Sequence, residues 1–285
     1  MKVLNKNSNI PQQLSLILGF FDGIHQGHRQ VLANTPKTKK ILVTFSTSPA
    51  EYFNKEFEYI YSREYNYKLL EKLGVDYVYE QKFNDIVNLS ASDYLEFLVN
   101  KFNPISITSG FNHRFGCNRQ GDSEFLEKNQ KGFKYYSVPP YKINEEVVCS
   151  TKIKKFLSNG ELEKANLFLG EEFTLKSTVK GGLKLGRKLG FPTANMDYPQ
   201  NIVKIPYGVY KVIVLDKVAL MNWGEKPTIG SSPLMEVFIP EFEGNLYGKE
   251  LEIKVCSKIR DEKKFLSIEE LKKQIEKDVE TCLKL

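Results

Sequence analysis

Two kinds of hydrophobic spacing divide this chain of 285 residues. In the first part, short unbroken apolar runs alternate with stretches of helical period. LSLILGF (Leu14 to Phe20) has the length of a strand buried on both faces, and HRQVLA after it has helical character. KILVTFS (Lys40 to Ser46), VDYVYE and ISITSGF (Ile105 to Phe111) are further strands. Helices are predicted around YNYKLLEKLG, which ends at Gly74, and over SASDYLEFLVNKF, which opens on a serine cap. This alternation predicts parallel βα units in an open sheet covered on both faces. STKIKKFLSNGELEKANLFLG (Ser150 to Gly170) then reads as two short helices hinged at Asn159-Gly160. Beyond Gly170 the period falls to two. FTLKSTVKGG, YGVYKVIVLD, KVALMNWG, LMEVFIPEF and ELEIKVCSKIR are strand-like, and SIEELKKQIEKDVETCLKL is one long amphipathic helix. Short strands closed off by a helix predict a small antiparallel barrel. The expected domains are therefore residues 1–170 and 171–285.

Composition narrows the classes. Hydrophobic residues make up 41%, enough for packed cores. No apolar stretch approaches the roughly 18 residues of a membrane span. The start, MKVLNKNSNIPQQ, lacks the apolar core and cleavage site of a signal peptide. The net charge of +6 comes from scattered lysines without a basic block. That pattern suits polyanionic small molecules and gives no nucleic-acid footprint. Cys117, Cys149, Cys256 and Cys282 form no CxxC pair and no metal spacing, so free thiols in a cytoplasmic protein are expected.

Two of the three histidines lie three residues apart in GFFDGIHQGHRQVL (Gly19 to Leu32), where the first long strand enters a helix. The carboxyl edge of an α/β sheet is where nucleotides bind, and a helix N-terminus favours phosphate. Gly27 removes a side chain where a nucleotide approaches, and His25 and His28 can donate hydrogen bonds to an α-phosphate under attack. The same pair can also serve as a helix cap or an incidental surface pair, and a short HxGH is shared by many nucleotidyltransferases and class I aminoacyl-tRNA synthetases. The longer string GFFDGIHQGH resembles the signature of the prokaryotic FAD synthetases. TFSTSP (Thr44 to Pro49), GFNHRFGCNRQGD (Gly110 to Asp122) and CSTKIKKFLSNGELEKANLFLG resemble further family segments in order. Ser46 and Ser48 stand where that family often has Asp and His. Lys152 and Lys154 stand where arginine is usual, which keeps charge but loses the bidentate fork.

VKGGLKLGRKLGFPTANM (Val179 to Met196) has the glycines of a backbone cradle, Gly181, Gly182, Gly186 and Gly190, set among Lys184, Arg187 and Lys188. A glycine-rich loop before Pro-Thr is also an ordinary turn. Thr193 and Asn195, two apart in an extended segment, aim neutral oxygens the same way, which suits Mg²⁺ that keeps its waters and ATP oxygens. The string resembles the flavokinase (riboflavin kinase) signature. PYGVYKV, NWGEKPTIG, MEVFIPEFEGNLYGKELEI and IRDEKKF follow in family order. The whole chain is similar to the bacterial bifunctional riboflavin kinase/FAD synthetases.

The resemblance implies a Rossmann-like nucleotidyltransferase domain followed by a six-stranded antiparallel β-barrel with a terminal helix. It implies phosphorylation of riboflavin to FMN and adenylylation of FMN to FAD, with ATP and Mg²⁺. Glu236 would be the kinase base, chosen over Glu241 and Glu243, and His25 and His28 would serve the adenylyl transfer. Gly19, Phe20, Asp22, Gly27, Asn112, Ser150, Thr151, Lys154, Gly181, Lys184, Gly186 and Arg187 would bind nucleotide. Asn222, Arg260 and Phe265 would bind flavin, and Thr193 and Asn195 the metal. Arg260 could alternatively form a surface ion pair with Asp261 or Glu262. The partners implied are riboflavin, FMN/FAD and ATP, with no nucleic acid or membrane, for a monomer or weak homo-oligomer. Two rivals stand beside this: a kinase whose first domain is weakened or inactive, and a non-catalytic flavin- or RNA-binding scaffold.

Overall fold

The computed structural model describes residues 1–181, 190–225 and 233–284, and the chain forms two compact units. The first holds residues 1–59 and 63–150. Its six strands are β1 (Lys2–Leu4), β2 (Leu14–Leu18), β3 (Lys39–Phe45), β4 (Tyr77–Gln81), β5 (Ser106–Gly110) and β6 (Lys134–Val138). They pair in the order β1-β4-β3-β2-β5-β6, and every pairing is parallel. The central strand β2 is buried along its whole length, as its unbroken apolar run requires. Helices α1 (Gln26–Asn34), α2 (Pro49–Tyr52), α3 (Arg63–Lys72), α4 (Ala91–Phe102) and α5 (Ser123–Lys128) connect them. The side chain of Ser90 accepts the Asp93 N–H and caps α4, which sets Leu95, Leu98 and Phe102 into a core with Leu14, Leu16 and Ile107. A small hairpin, β7 (Lys142–Ile143) and β8 (Glu146–Val147), ends the unit.

The strand order fixes where chemistry can sit. The chain leaves β2 toward β3 and β4, then returns to β5 on β2's other side. Crossovers diverge at that point, opening a crevice beyond the carboxyl ends of β2 and β5. The β2–β5 register pairs Leu18 with Ser109, so the turns that begin at Gly19 and Gly110 leave the sheet side by side.

The second unit holds residues 60–62 and those from 151 onward. Its sheet comprises β9 (Phe173–Thr178), β10 (Thr193–Met196), β11 (Gly208–Val214), β12 (Lys217–Gly224), β13 (Leu234–Phe238) and β14 (Glu250–Arg260). It is an antiparallel half-barrel of order β10-β13-β12-β11-β14-β9, and an isolated bridge between Lys180 and Asn195 joins the chain after β9 to β10. The expected six strands and terminal helix are present. Helices α6 (Ser150–Asn159) and α7 (Leu162–Leu169) meet at Gly160, and the terminal helix is α8 (Ile268–Lys284). The strand pattern changes near residue 170, whereas packing divides the chain at Ser150. The reason lies in α7. Asn166 donates to the carbonyls of Val255 (3.0 Å) and Cys256 (3.2 Å) and accepts from Phe173 N–H (2.8 Å), fastening that helix to β14 and β9.

Candidate functional site

In the first unit, Gly19 to His28 builds a stack of three rings. Phe21 lies 4.4 Å from His28 and His28 3.6 Å from His25, centroid to centroid, with interplanar angles of 17° and 13°. Two glycines leave the room. A Cβ on Gly19 would stand 2.6 Å from the Phe21 ring. One on Gly27 would stand 3.1 and 3.2 Å from Cε1 and Nδ1 of His25. The missing side chain at position 27 therefore accommodates the motif's own imidazole, a reason distinct from close approach by a nucleotide.

His25 caps α1: its Nδ1 accepts the His28 N–H at 3.2 Å. A nitrogen used as acceptor carries no proton, so the neutral ring holds its proton on Nε2. The capping alternative is what the geometry shows, and capping leaves Nε2 as the nitrogen able to donate. Burial lowers the pKa of His25 to about 4 and holds that of His28 well below the ordinary histidine value, with His25's charge a second cause for His28. Both rings are neutral donors at pH 7. The Nδ1 of His28 is buried and has no hydrogen-bond partner among the described residues.

The turn beneath the stack is held from two sides. Asn66 on α3 accepts the Gly23 N–H at 3.3 Å, and Ser150 Oγ donates to the Asp22 carbonyl at 2.9 Å. Asp22 is buried; Phe20 packs edge-on to Phe57 at 5.8 Å. Asn112 is exposed in the turn after β5, beside Gly110 at the same sheet edge. Thr151 is exposed and Lys154 half-buried on α6. Ser48 caps α2 and its N–H donates to the Tyr59 hydroxyl at 3.0 Å, while the Ser46 carbonyl accepts from Arg63. Phe21 and Asn66 were not foreseen. Phe21 lay inside the quoted signature, whereas Asn66 carried no signal in a helix read only for its apolar period.

In the second unit, strand register brings the predicted residues into one line. Asn195 on β10 pairs with Glu236 on β13, which pairs with Asn222 on β12. Asn222 faces Val209 on β11, and Val209 faces Arg260 at the end of β14. Direct cross-strand partners share a face at about 5 Å spacing. A carboxylate therefore stands between two amides, and Thr193 joins Asn195 on that face by the period of two. The next row on that face is Thr193, Phe238 and Leu220, whose apolar pair packs with Val279 and Cys282 of α8. Glu236 is half-buried, while Glu241 and Glu243 are exposed beyond the strand.

Arg260 takes neither alternative ion pair. Its guanidinium grips Asp278 of α8, with Nη2 to Oδ2 at 2.7 Å, and the Asp261 carboxylate pairs with Lys258. Phe265 lies against the Arg260 guanidinium at 5.7 Å from its centroid. Gly181 is exposed, and among the described residues no atom lies within 4 Å of the Cβ it lacks. Lys184, Gly186 and Arg187 lie outside the described residues, as do Gly182 and Lys188. Thr193 and Asn195, two apart on one strand face, offer neutral oxygens of the hard type that Mg²⁺ takes. No cluster of three or more His, Cys, Asp or Glu able to hold a metal occurs among the described residues. No helix among them is long and apolar enough to cross a membrane.

A parallel sheet with a capped histidine turn at its crevice, joined to an antiparallel half-barrel bearing a carboxylate among neutral oxygens, defines a nucleotide-dependent transferase of two domains. Comparison with known proteins makes this specific. The family model for FAD synthetase matches residues 7–152 and that for riboflavin kinase residues 169–285. A bifunctional riboflavin kinase/FMN adenylyltransferase of Haemophilus influenzae is 35% identical, with 98% of this chain and 96% of that protein covered. Proteins of the same description from Bacillus subtilis and Escherichia coli are each 30% identical, covering 94% and 95% of this chain and 91% and 92% of theirs. A Streptococcus pneumoniae structure titled a macrolide-efflux protein shares the whole fold, with TM-score 0.90, 25% identity and 99% coverage of each chain. The chain belongs to the family of bifunctional riboflavin kinase/FMN adenylyltransferases, carries both of its domains and is a transferase. The kinase-only alternative is not favoured, since the FAD synthetase match runs through the first unit.

Proposed function

We propose that the two reactions are carried by two separate sets of residues, one in 171–285 and one in 1–170. In the first reaction Glu236 accepts the proton of the riboflavin 5′-hydroxyl. The oxygen then bonds to the γ-phosphorus of ATP as the bond to the departing ADP breaks, giving FMN. Asn222, Arg260 and Phe265 hold the flavin, and Thr193 and Asn195 hold Mg²⁺. When bound, the metal neutralises phosphate charge and aligns the triphosphate. The observation that supports this assignment above all is the register line Asn195–Glu236–Asn222.

In the second reaction an FMN phosphate oxygen attacks the α-phosphorus of a second ATP, and pyrophosphate leaves as FAD forms. His25 donates from Nε2 to the charge that builds on the α-phosphate, and His28 stacks behind it as the second donor. A polyanion here favours the protonated ring, opposing the burial that keeps it neutral when no nucleotide is bound. Gly19, Phe20, Asp22, Gly27, Asn112 and Ser150 of the first unit form the nucleotide's surroundings, and Thr151 and Lys154, on α6 of the second unit, are assigned to nucleotide binding by the family resemblance alone. The four free thiols support a cytoplasmic setting.

Two variants test the division of labour. Glu236→Gln is expected to abolish FMN formation and leave FMN-to-FAD conversion intact. His28→Ala should do the reverse. Loss of both activities in either variant would contradict the assignment.

A further inference from the structure

Asp278 lies on α8 and is 2% exposed. A carboxylate so far from water is stable only if its charge is matched and its lone pairs are filled. Arg260 supplies most of that: Nε donates to Oδ1 and Oδ2 at 3.0 Å each, and Nη2 to Oδ2 at 2.7 Å. Gln274, one helical turn earlier, adds a bond to Oδ1 at 2.8 Å. The same guanidinium reaches onward, its Nη1 donating to the Asp261 carbonyl at 2.9 Å while its Cζ lies over the Phe265 ring, 5.7 Å from the ring centroid. Arg260 ends the register line that holds Glu236 and Asn222. One buried carboxylate thus holds an arginine that binds the first residue of the segment after β14 and lies over an aromatic ring, which Lys263 also approaches at 5.6 Å.

We infer that Asp278 is a positioning residue for the flavin side of the kinase site, holding Arg260 in one rotamer so that Phe265 is in place before substrate arrives. The inference rests on the reading of Arg260 and Phe265 as flavin-binding. A long side chain freed from its partner must be ordered by the substrate instead, which weakens binding without altering the transferring atoms. A merely structural clasp between α8 and β14 would change melting temperature and leave the substrate's KM alone.

The test uses the full chain and steady-state kinetics of both reactions. Asp278→Asn is expected to raise the KM for riboflavin about tenfold, with kcat and the KM for ATP within about twofold and FMN adenylylation unchanged. Asp278→Glu keeps the charge but displaces the guanidinium, so a smaller rise of about threefold is expected; it decides the matter should the Asn variant not fold. An unchanged riboflavin KM in the folded variant overturns the inference. Phe265→Ala separates the two layers. A rise in riboflavin KM there, with none at position 278, removes the positioning role alone. No rise at Phe265→Ala removes the flavin reading beneath it.

Discussion

Gly27→Ala sets two opposing effects against each other. Alanine at a helical position is worth about 0.5–1 kcal/mol over glycine, so the change would stabilise α1 if space allowed. The new Cβ, however, stands 3.1 Å from His25 Cε1, 3.2 Å from Nδ1 and 3.4 Å from the Val148 carbonyl. The ring must retreat by a few tenths of an ångström, lengthening a cap bond already at 3.2 Å and opening a stack of 3.6 Å. A lost cap costs about 1 kcal/mol, and an aromatic pair contributes about 0.5–1.5 kcal/mol. The sum lies between neutral and about 2 kcal/mol destabilising, so thermal denaturation should show a small decrease at most. Catalysis is far less tolerant, because a donor displaced within an active site loses about 10- to 100-fold in rate. Conversion of FMN and ATP to FAD, followed by chromatography, should fall by that factor while riboflavin phosphorylation holds. A variant that is more stable and makes FAD at the normal rate would refute the reasoning about the stack.

Acid should unfold the first unit through its histidines. His25 and His113 are each lowered to about 4 by burial, and His28 is lowered as well. The unfolded chain takes up these protons near pH 6.5 while the fold refuses them, so stability is full above that pH and falls as pH drops toward 4. His25 alone accounts for about 3 kcal/mol at the lower end. Denaturant melts at pH 7 and pH 4.5 measure this, and equal stability at both would contradict it. Asn66→Ala leaves the Gly23 N–H without its acceptor and should cost about 1 kcal/mol, with a lower rate of FAD formation. Wild-type FAD synthesis in that variant would show that the turn needs no support from α3.

The central strands were legible because burial on both faces writes a continuous apolar run, as in Leu14–Leu18. Period two marked five strands of the half-barrel, and the spacing of Thr193 and Asn195 anticipated β10. Edge elements were not legible. Strand β1 is three residues long, and β6 buries Tyr135 and Val138, three apart, and exposes Lys134 and Ser137, so neither offers an apolar run or a period of two to read. The chemistry was legible as residue types, yet the line joining Asn195, Glu236, Asn222 and Arg260 is set by register between distant strands. Asp278 did leave a trace. Leu271, Ile275, Asp278 and Cys282 follow helical spacing, and a charge within an otherwise apolar stripe marks a buried partner. The ring stack left none, because it depends on Phe21 at φ 54° and on what two glycines make room for.

The claim that each reaction has its own residues is tested most directly by mixing two defective proteins. Glu236→Gln and His28→Ala, each alone, should yield no FAD from riboflavin and ATP. Combined, they should restore it, since FMN released by the second becomes substrate for the first. A mixture that still makes no FAD from riboflavin, although each variant keeps its remaining activity, would contradict the account.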